Sequence, residues 1–221
     1  MKAIVNGRIL LPDAEVRNKA LLYDEVIIGI MDEADARREA DEVIDAGGAY
    51  VAPGLIDAHI HGYGGDDVSD DDPEGVRRMS QRLLENGVTS FLPTTLTVSW
   101  DTLKSVCGHM RALARESQQP EYIGSEILGV HLEGPFINPE RKGAQNPEYI
   151  LPPEAEKVLP YADIVRAITL APEMPGGYGC IRALKQQTGI AISMGHSSAK
   201  YDEAITAVGL GVTRVTHSLT P

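Results

Sequence analysis

Positive charge is what this sequence is short of. Twenty Lys and Arg face 32 Asp and Glu, giving a formal net charge of −12. A surface of that sign repels phosphate backbones and anionic headgroups, which argues against nucleic acid or a membrane surface as the main partner. A local pocket can still oppose the global sign and take an anionic small molecule. Cysteine is scarce as well. Cys107 and Cys180 are the only two and have no CxxC spacing, which excludes a disulfide framework and points to reduced thiols. No apolar run approaches the ~20 residues that span a bilayer. The opening Met1-Lys2-Ala3-Ile4-Val5-Asn6-Gly7 turns polar too early for a signal peptide. The expectation is a cytoplasmic protein. Internal repeats and low-complexity tracts are also missing.

What is present is a 43% hydrophobic content over 221 residues, enough for one large domain or two small ones. Residues 1–52 read as a small β unit. The apolar segments 3–5 and 8–11 flank Asn6-Gly7, a strong hairpin signal. Segments 21–23 and 26–31 are apolar and β-branched enough for further strands. Residues 32–41 are dominated by charge and read as a solvated helix or turn, and 43–46 read as a strand closing at Gly47-Gly48.

From Val51-Ala52-Pro53-Gly54 the character changes, so that 53–221 reads as a second domain. Apolar segments of strand length alternate with segments of helical period, the βα pattern of a parallel sheet or barrel. Six strands are expected at 55–61, 90–96, 127–133, 167–171, 191–196 and 214–217. Helices are expected at 73–86, with Val76, Met79, Leu83 and Leu84 as its apolar face, and at 100–116, with Leu103, Val106, Met110 and Leu113. Two more are expected at 180–188 and 199–208, with Gly189 and Gly209 where C-caps belong. Pro152-Pro153 reads as a helix start.

Five of the six histidines, His59, His61, His131, His196 and His217, fall at or near the carboxyl end of an expected strand; His109 falls in a helix. In a barrel of parallel strands that end carries the catalytic groups. His59 and His61 are two apart, so on a strand both point to one side and can share one metal. Glu133 closes the strand that stops at Gly134-Pro135. Each residue has a bland reading. An isolated HxH is more often an ordinary half-buried pair, His196 could lie near a helix cap, His217 could be exposed, and His131 reads as a hydrogen-bonded core histidine. The conjunction outweighs them: a carboxylate and several imidazoles at matching strand ends form the N/O donor set for Zn²⁺ or another first-row divalent ion.

The stretch Pro53-Gly54-Leu55-Ile56-Asp57-Ala58-His59-Ile60-His61-Gly62 resembles the first barrel strand of the amidohydrolase superfamily, and residues 1–52 resemble its accompanying β-sandwich segment. Four further motifs narrow the resemblance: Gly129 to Pro135, Lys142 to Pro147, Leu170-Ala171-Pro172-Glu173 and Gly195-His196-Ser197. Together they resemble the N-acetylglucosamine-6-phosphate deacetylase family. The resemblance implies an α/β fold of the (β/α)8 TIM-barrel type. It also implies Glu133, His196 and His217 as metal ligands, and Ala144 and Gln145 as substrate contacts. Many members have His where Gln145 stands, so an amide would replace an imidazole there. Having both His59 and His61 suggests a second metal position bridged by Glu133, hence one or two divalent ions per subunit. The implied reaction is hydrolysis of the acetamide of N-acetylglucosamine 6-phosphate to glucosamine 6-phosphate and acetate. A phosphosugar is then the small-molecule partner, and a homodimer is the expectation for a full-length protein.

The family's acid/base aspartate ends an eighth strand, and only six strands are expected here. A barrel of this kind takes ~250 residues, whereas 53–221 spans roughly 170. After Thr216-His217 the family pattern continues with Leu, an aromatic residue and then Asn-Ala, where this chain reads Ser218-Leu219-Thr220-Pro221. The expectation is therefore an incomplete barrel, a truncated or frameshifted product or a fragment, with impaired activity, exposed strand edges and a tendency to associate. Two alternatives stay open: another metal-dependent amidohydrolase acting on a cyclic amide, and a non-catalytic product.

Overall fold

The structure is a computed structural model that describes residues 1–218. The expected departure at Ser218–Pro221 lies, from Leu219 on, outside the described residues. The chain forms two compact units, Met1–Gly54 and the remainder from Leu55.

The first unit holds β1 (Lys2–Val5), β2 (Arg8–Leu10), β3 (Glu15–Val16), β4 (Lys19–Tyr23), β5 (Ile27–Asp32), α1 (Glu33–Glu39), β6 (Glu42–Asp45) and β7 (Tyr50–Val51). They make two small sheets, ordered β5-β4-β1-β6 and β3-β2-β7. The Asn6-Gly7 hairpin does not form. β1 pairs with β4 and β6, whereas β2 pairs with β3 and β7 in the other sheet. Asn6 has φ +53°, but Gly7 is not left-handed, and a type I′ hairpin turn needs both. The polar groups of Asn6 are engaged elsewhere, its N–H donating to Glu33 and its side-chain amide to Asp45. Gly7 also packs closely, since a Cβ there would sit 2.6 Å from Val51. The charged 32–41 segment is helical over α1, and a small core of Ala3, Val5, Ala20, Leu22 and Ala36 forms around it.

The second unit continues with β8 (Leu55–Ile60), β9 (Gly62–Tyr63), β10 (Asp66–Asp67), α2 (Pro73–Leu83), β11 (Val88–Thr95), α3 (Trp100–Glu116), β12 (Glu126–Ile127) and β13 (Val130–Glu133). It ends with α4 (Ala155–Val158), β14 (Val165–Leu170), α5 (Gly177–Gln187), β15 (Ala191–Met194), α6 (Tyr201–Leu210) and β16 (Val212–Val215). The main sheet is parallel throughout and runs β8, β11, the split strand β12/β13, β14, β15, β16. These are the six expected strand positions of a TIM-type barrel. Among the described residues the sheet does not close, so β8 and β16 are its edges. The third strand is interrupted at Leu128-Gly129. Gly129 has φ +142°, and a Cβ there would meet the Ile164 carbonyl at 2.4 Å, so glycine is needed at the break.

Local chemistry explains the helices. Asp72 caps α2 with Pro73 at its first position, and Ser99 caps α3. The α3 face of Leu103, Val106, Met110 and Leu113 is fully buried in one core with the strands and α2; each such side chain contributes about 1.5–3 kcal/mol. Helix ends depart from expectation. α5 begins at Gly177, where a Cβ would lie 2.3 Å from the Pro172 carbonyl, and it ends at Gln187 with Thr188 rather than Gly189 as its cap. α6 runs through Gly209 to a cap at Gly211, and the helix after Pro152-Pro153 starts only at Ala155. Among the described residues no helix is long and apolar enough to cross a membrane.

Candidate metal centre

Glu133 ends β13 pointing inward, and it is 1% exposed. Burying a carboxylate is costly without compensation. Here four imidazoles surround it. His61 Nε2 lies 2.8 Å from Oε2, while His217 Nε2 and His196 Nε2 lie 2.7 and 3.0 Å from Oε1. His59 Nε2 is 3.7 Å from Oε1 and 3.4 Å from His61 Nε2. The alternation of β8, carried one residue past its end at Ile60, therefore puts His59 and His61 on one side. Two clusters able to hold a metal ion result, His59/His61/Glu133 and Glu133/His196/His217, sharing the carboxylate.

The far nitrogens decide what the near ones can do. His61 Nδ1 lies 3.0 Å from the Thr94 carbonyl, and His196 Nδ1 lies 3.0 Å from the Arg141 carbonyl. A carbonyl only accepts, so each Nδ1 carries the proton and the neutral ring presents a bare Nε2 to Glu133. Lone pair would then face lone pair. Either the rings are imidazolium or a cation sits among them. For His61, burial lowers the pKa, but the hydrogen bond and charge of Glu133 outweigh it and the net shift is upward. His196 is raised by its hydrogen bond to Glu133. His59 goes the other way, lowered by burial despite Glu133. For Glu133 burial pushes upward, but the hydrogen bonds and charges of the histidines hold the carboxyl far below its ordinary range. Protonating all four rings would set four positive charges against one negative. A divalent ion satisfies the same nitrogens without that repulsion, and the N/O donor set fits it.

Two of the histidines are unusual in their backbone. His196 and His217 lie just past the ends of β15 and β16 with φ +49° and +60°, a region that non-glycine residues enter only when their surroundings hold them there. His131 stays apart. It is buried, bonds Thr169 Oγ1 through Nε2 at 2.7 Å, and burial lowers its pKa to about 4, so it is a neutral core histidine belonging to neither cluster. His109, in α3, pairs with Asp71.

Ala144 and Gln145 line an open cleft of about 610 Å³ together with His61, Glu133, His196 and His217. Gln145 is buried, and both ends of its amide are engaged. Oε1 accepts from the Thr97 N–H at 2.6 Å, and Nε2 donates to Glu133 Oε2 at 3.0 Å. Sequence reasoning passed over this carboxylate contact, the loop 138–141 and the hydroxyl chain Thr169–Thr216–Ser193, and it named Glu173 in a motif without giving it a role. The signal for the hydroxyls was polar residues on otherwise apolar strands.

A protein-family model described as the amidohydrolase family matches residues 50–219. The chain belongs to the amidohydrolase family. Among its relatives, an N-acetylglucosamine-6-phosphate deacetylase of Mus musculus is 39% identical over 96% of this chain and 51% of the relative. One of Lysinibacillus sphaericus is 35% identical over 79% of this chain and 45% of the relative. The solved structure of N-acetylglucosamine-6-phosphate deacetylase from Pasteurella multocida superimposes with a TM-score of 0.88 at 32% identity, covering 98% of this amidohydrolase chain and 56% of that one. The chain thus spans about half the length of the curated relatives it matches.

Proposed function

We propose that the site serves metal-dependent hydrolysis of the acetamide of N-acetylglucosamine 6-phosphate, releasing glucosamine 6-phosphate and acetate. The observation that carries this is the buried Glu133 shared by two histidine clusters at the carboxyl ends of a parallel sheet. The similarity to deacetylases supports the substrate class. In this reading Glu133, His196 and His217 hold one divalent ion, and His59 and His61 with Glu133 hold a second. Such an ion makes a bound water more acidic and polarises an amide carbonyl.

The chain's own residues do the rest. Carbonyl contacts at Nδ1 of His61 and His196 place the neutral ring's proton on Nδ1 and leave Nε2 as the nitrogen that would bind the ion. Gln145 holds one Glu133 oxygen in place from the side of the cleft. Ala144 and Gln145 line the wall against which the sugar packs, and Arg141, on the same lining, supplies positive charge for an anionic substrate. Proton transfer to the leaving amine needs one group more. Among the described lining residues Glu133 is the only carboxylate, and it is already committed to four histidines. We therefore expect this chain to bind the ion well and to turn over slowly.

The test is to load the purified chain with Zn²⁺, measure retained metal after gel filtration, and follow acetate release. Retention of up to two ions, one per cluster, with slow release that Glu133→Gln abolishes, is the expected result. A chain retaining no ion would overturn the reading.

A further inference from the structure

Glu173, at the end of the Leu170-Ala171-Pro172-Glu173 motif after β14, touches neither histidine cluster, yet its carboxylate is hydrogen-bonded by three donors. Oε2 accepts from Ser197 Oγ at 2.6 Å, and Oε1 accepts from the Ser198 N–H at 2.6 Å and from Asn138 Nδ2 at 3.0 Å. Asn138 in turn donates its N–H to the His196 carbonyl at 2.9 Å. The loop that Asn138 opens carries Arg141, whose carbonyl faces His196 Nδ1 and whose Nε donates to Ser198 Oγ at 3.0 Å. These contacts close a ring around one residue. His196 is held at its carbonyl, at its ring and through the two residues that follow it, in a left-handed conformation that it would not hold unaided.

We propose that Glu173 is a positioning residue for His196: it clamps the 195–199 loop to the 138–141 loop and so fixes the imidazole at the ion position. The proposal rests on the reading of His196 as a metal ligand. A carboxylate suits the task because all three partners are donors, and a charged acceptor binds each more strongly than a neutral one. The loss expected on removing it is that of an outer-shell partner of a metal ligand, about 10–100-fold in metal affinity.

The probe is Co²⁺, titrated into the intact chain and its Glu173→Ala, Glu173→Gln and Ser197→Ala variants, with affinity, the visible spectrum of the bound ion, and Tm all recorded. Glu173→Ala is expected to remain folded with a lowered Tm, to weaken Co²⁺ binding about tenfold or more and to alter the spectrum. Glu173→Gln, which keeps the shape and one accepting oxygen, is expected to restore most of the affinity. Unchanged affinity and spectrum in folded Glu173→Ala would overturn the proposal. Should Glu173→Ala fail to fold, Ser197→Ala decides: a weaker, spectrally altered site supports the clamp, and an unchanged one overturns it. Should the unmodified chain bind no Co²⁺, the metal reading itself fails. Hydrogen exchange at the Ser198 amide then judges the clamp alone, with lost protection in the variant supporting it and retained protection overturning it.

Discussion

The two sides of the candidate centre are built differently. His59 projects from β8 and His61 from the position just after it, where the alternation of the strand aligns them and the neighbouring strand steadies them. Thr94 accepts from His61 Nδ1 through its carbonyl, and its hydroxyl accepts from the Ile60 N–H. His196 and His217 lie beyond the strand ends in left-handed conformations, and His196 is held by contacts from two loops and Glu173. One side is precise because a sheet is regular; the other is precise only because its supports converge. Precision by convergence is more fragile, since each support is a separate residue that can be removed.

The largest test removes what both sides share. Glu133→Gln should weaken metal binding on both sides by more than about 100-fold, beyond the loss typical of an outer-shell change, as read by calorimetric titration. Retention of either ion at normal affinity would break the idea of a common hub. Next, the sides can be separated. His59→Ala and His196→Ala should each remove one ion per chain by elemental analysis. The His196 change should cost more affinity in the remaining ion, because its Nε2 lies 3.0 Å from Glu133 Oε1 against 3.7 Å for His59. Equal losses would show that the two sides are equivalent.

Gln145→Leu should act more narrowly. It removes the donor on Glu133 Oε2, the oxygen facing His61, so it should alter affinity on the His59/His61 side and spare the other. It also leaves the Thr97 N–H without its partner, at a cost of about 1–3 kcal/mol, which chemical denaturation would detect. The smallest effect concerns pH. Burial alone would raise the Glu173 pKa, but the hydrogen bonds from Ser197, Asn138 and Ser198 outweigh it and lower it below its ordinary 4.5. A lowered folded pKa gives stability that is present above about pH 4.5 and lost as pH falls through the folded value. Glu173→Gln should therefore be less stable near neutrality and lose less on acidification, as seen in Tm against pH. Parallel curves would remove Glu173 from the acid-sensitive groups.

Much of this was legible in the sequence. Alternating apolar runs and helical periods located six strands and the four main helices, because burial against a common core enforces those periods over many residues. His59 and His61 were readable as a pair, since two residues two apart on a strand share a side. Glu133 was readable as a strand-end carboxylate from the Gly134-Pro135 stop. Single-residue turn signals were less dependable. Asn6-Gly7 turns the chain but sends β1 and β2 to different sheets, and Gly189 and Gly209 do not cap their helices. At Gly7 and Gly211 close packing against Val51 and Lys185 accompanies the departure, whereas at the end of α5 the Thr188 hydroxyl bonds the Leu184 carbonyl locally.

Sequence alone determined the parallel βα architecture, the strand-end placement of the histidines and the donor chemistry available to them, because those follow from periodicity and residue type. Only the tertiary structure decided how the donors are used. It turned Gln145 onto Glu133, left His131 neutral in the core, and enlisted Glu173 to hold His196. Those outcomes depend on approaches between residues 12 to 63 positions apart in the chain, and the spacing of residues along a sequence carries no record of which loops will meet.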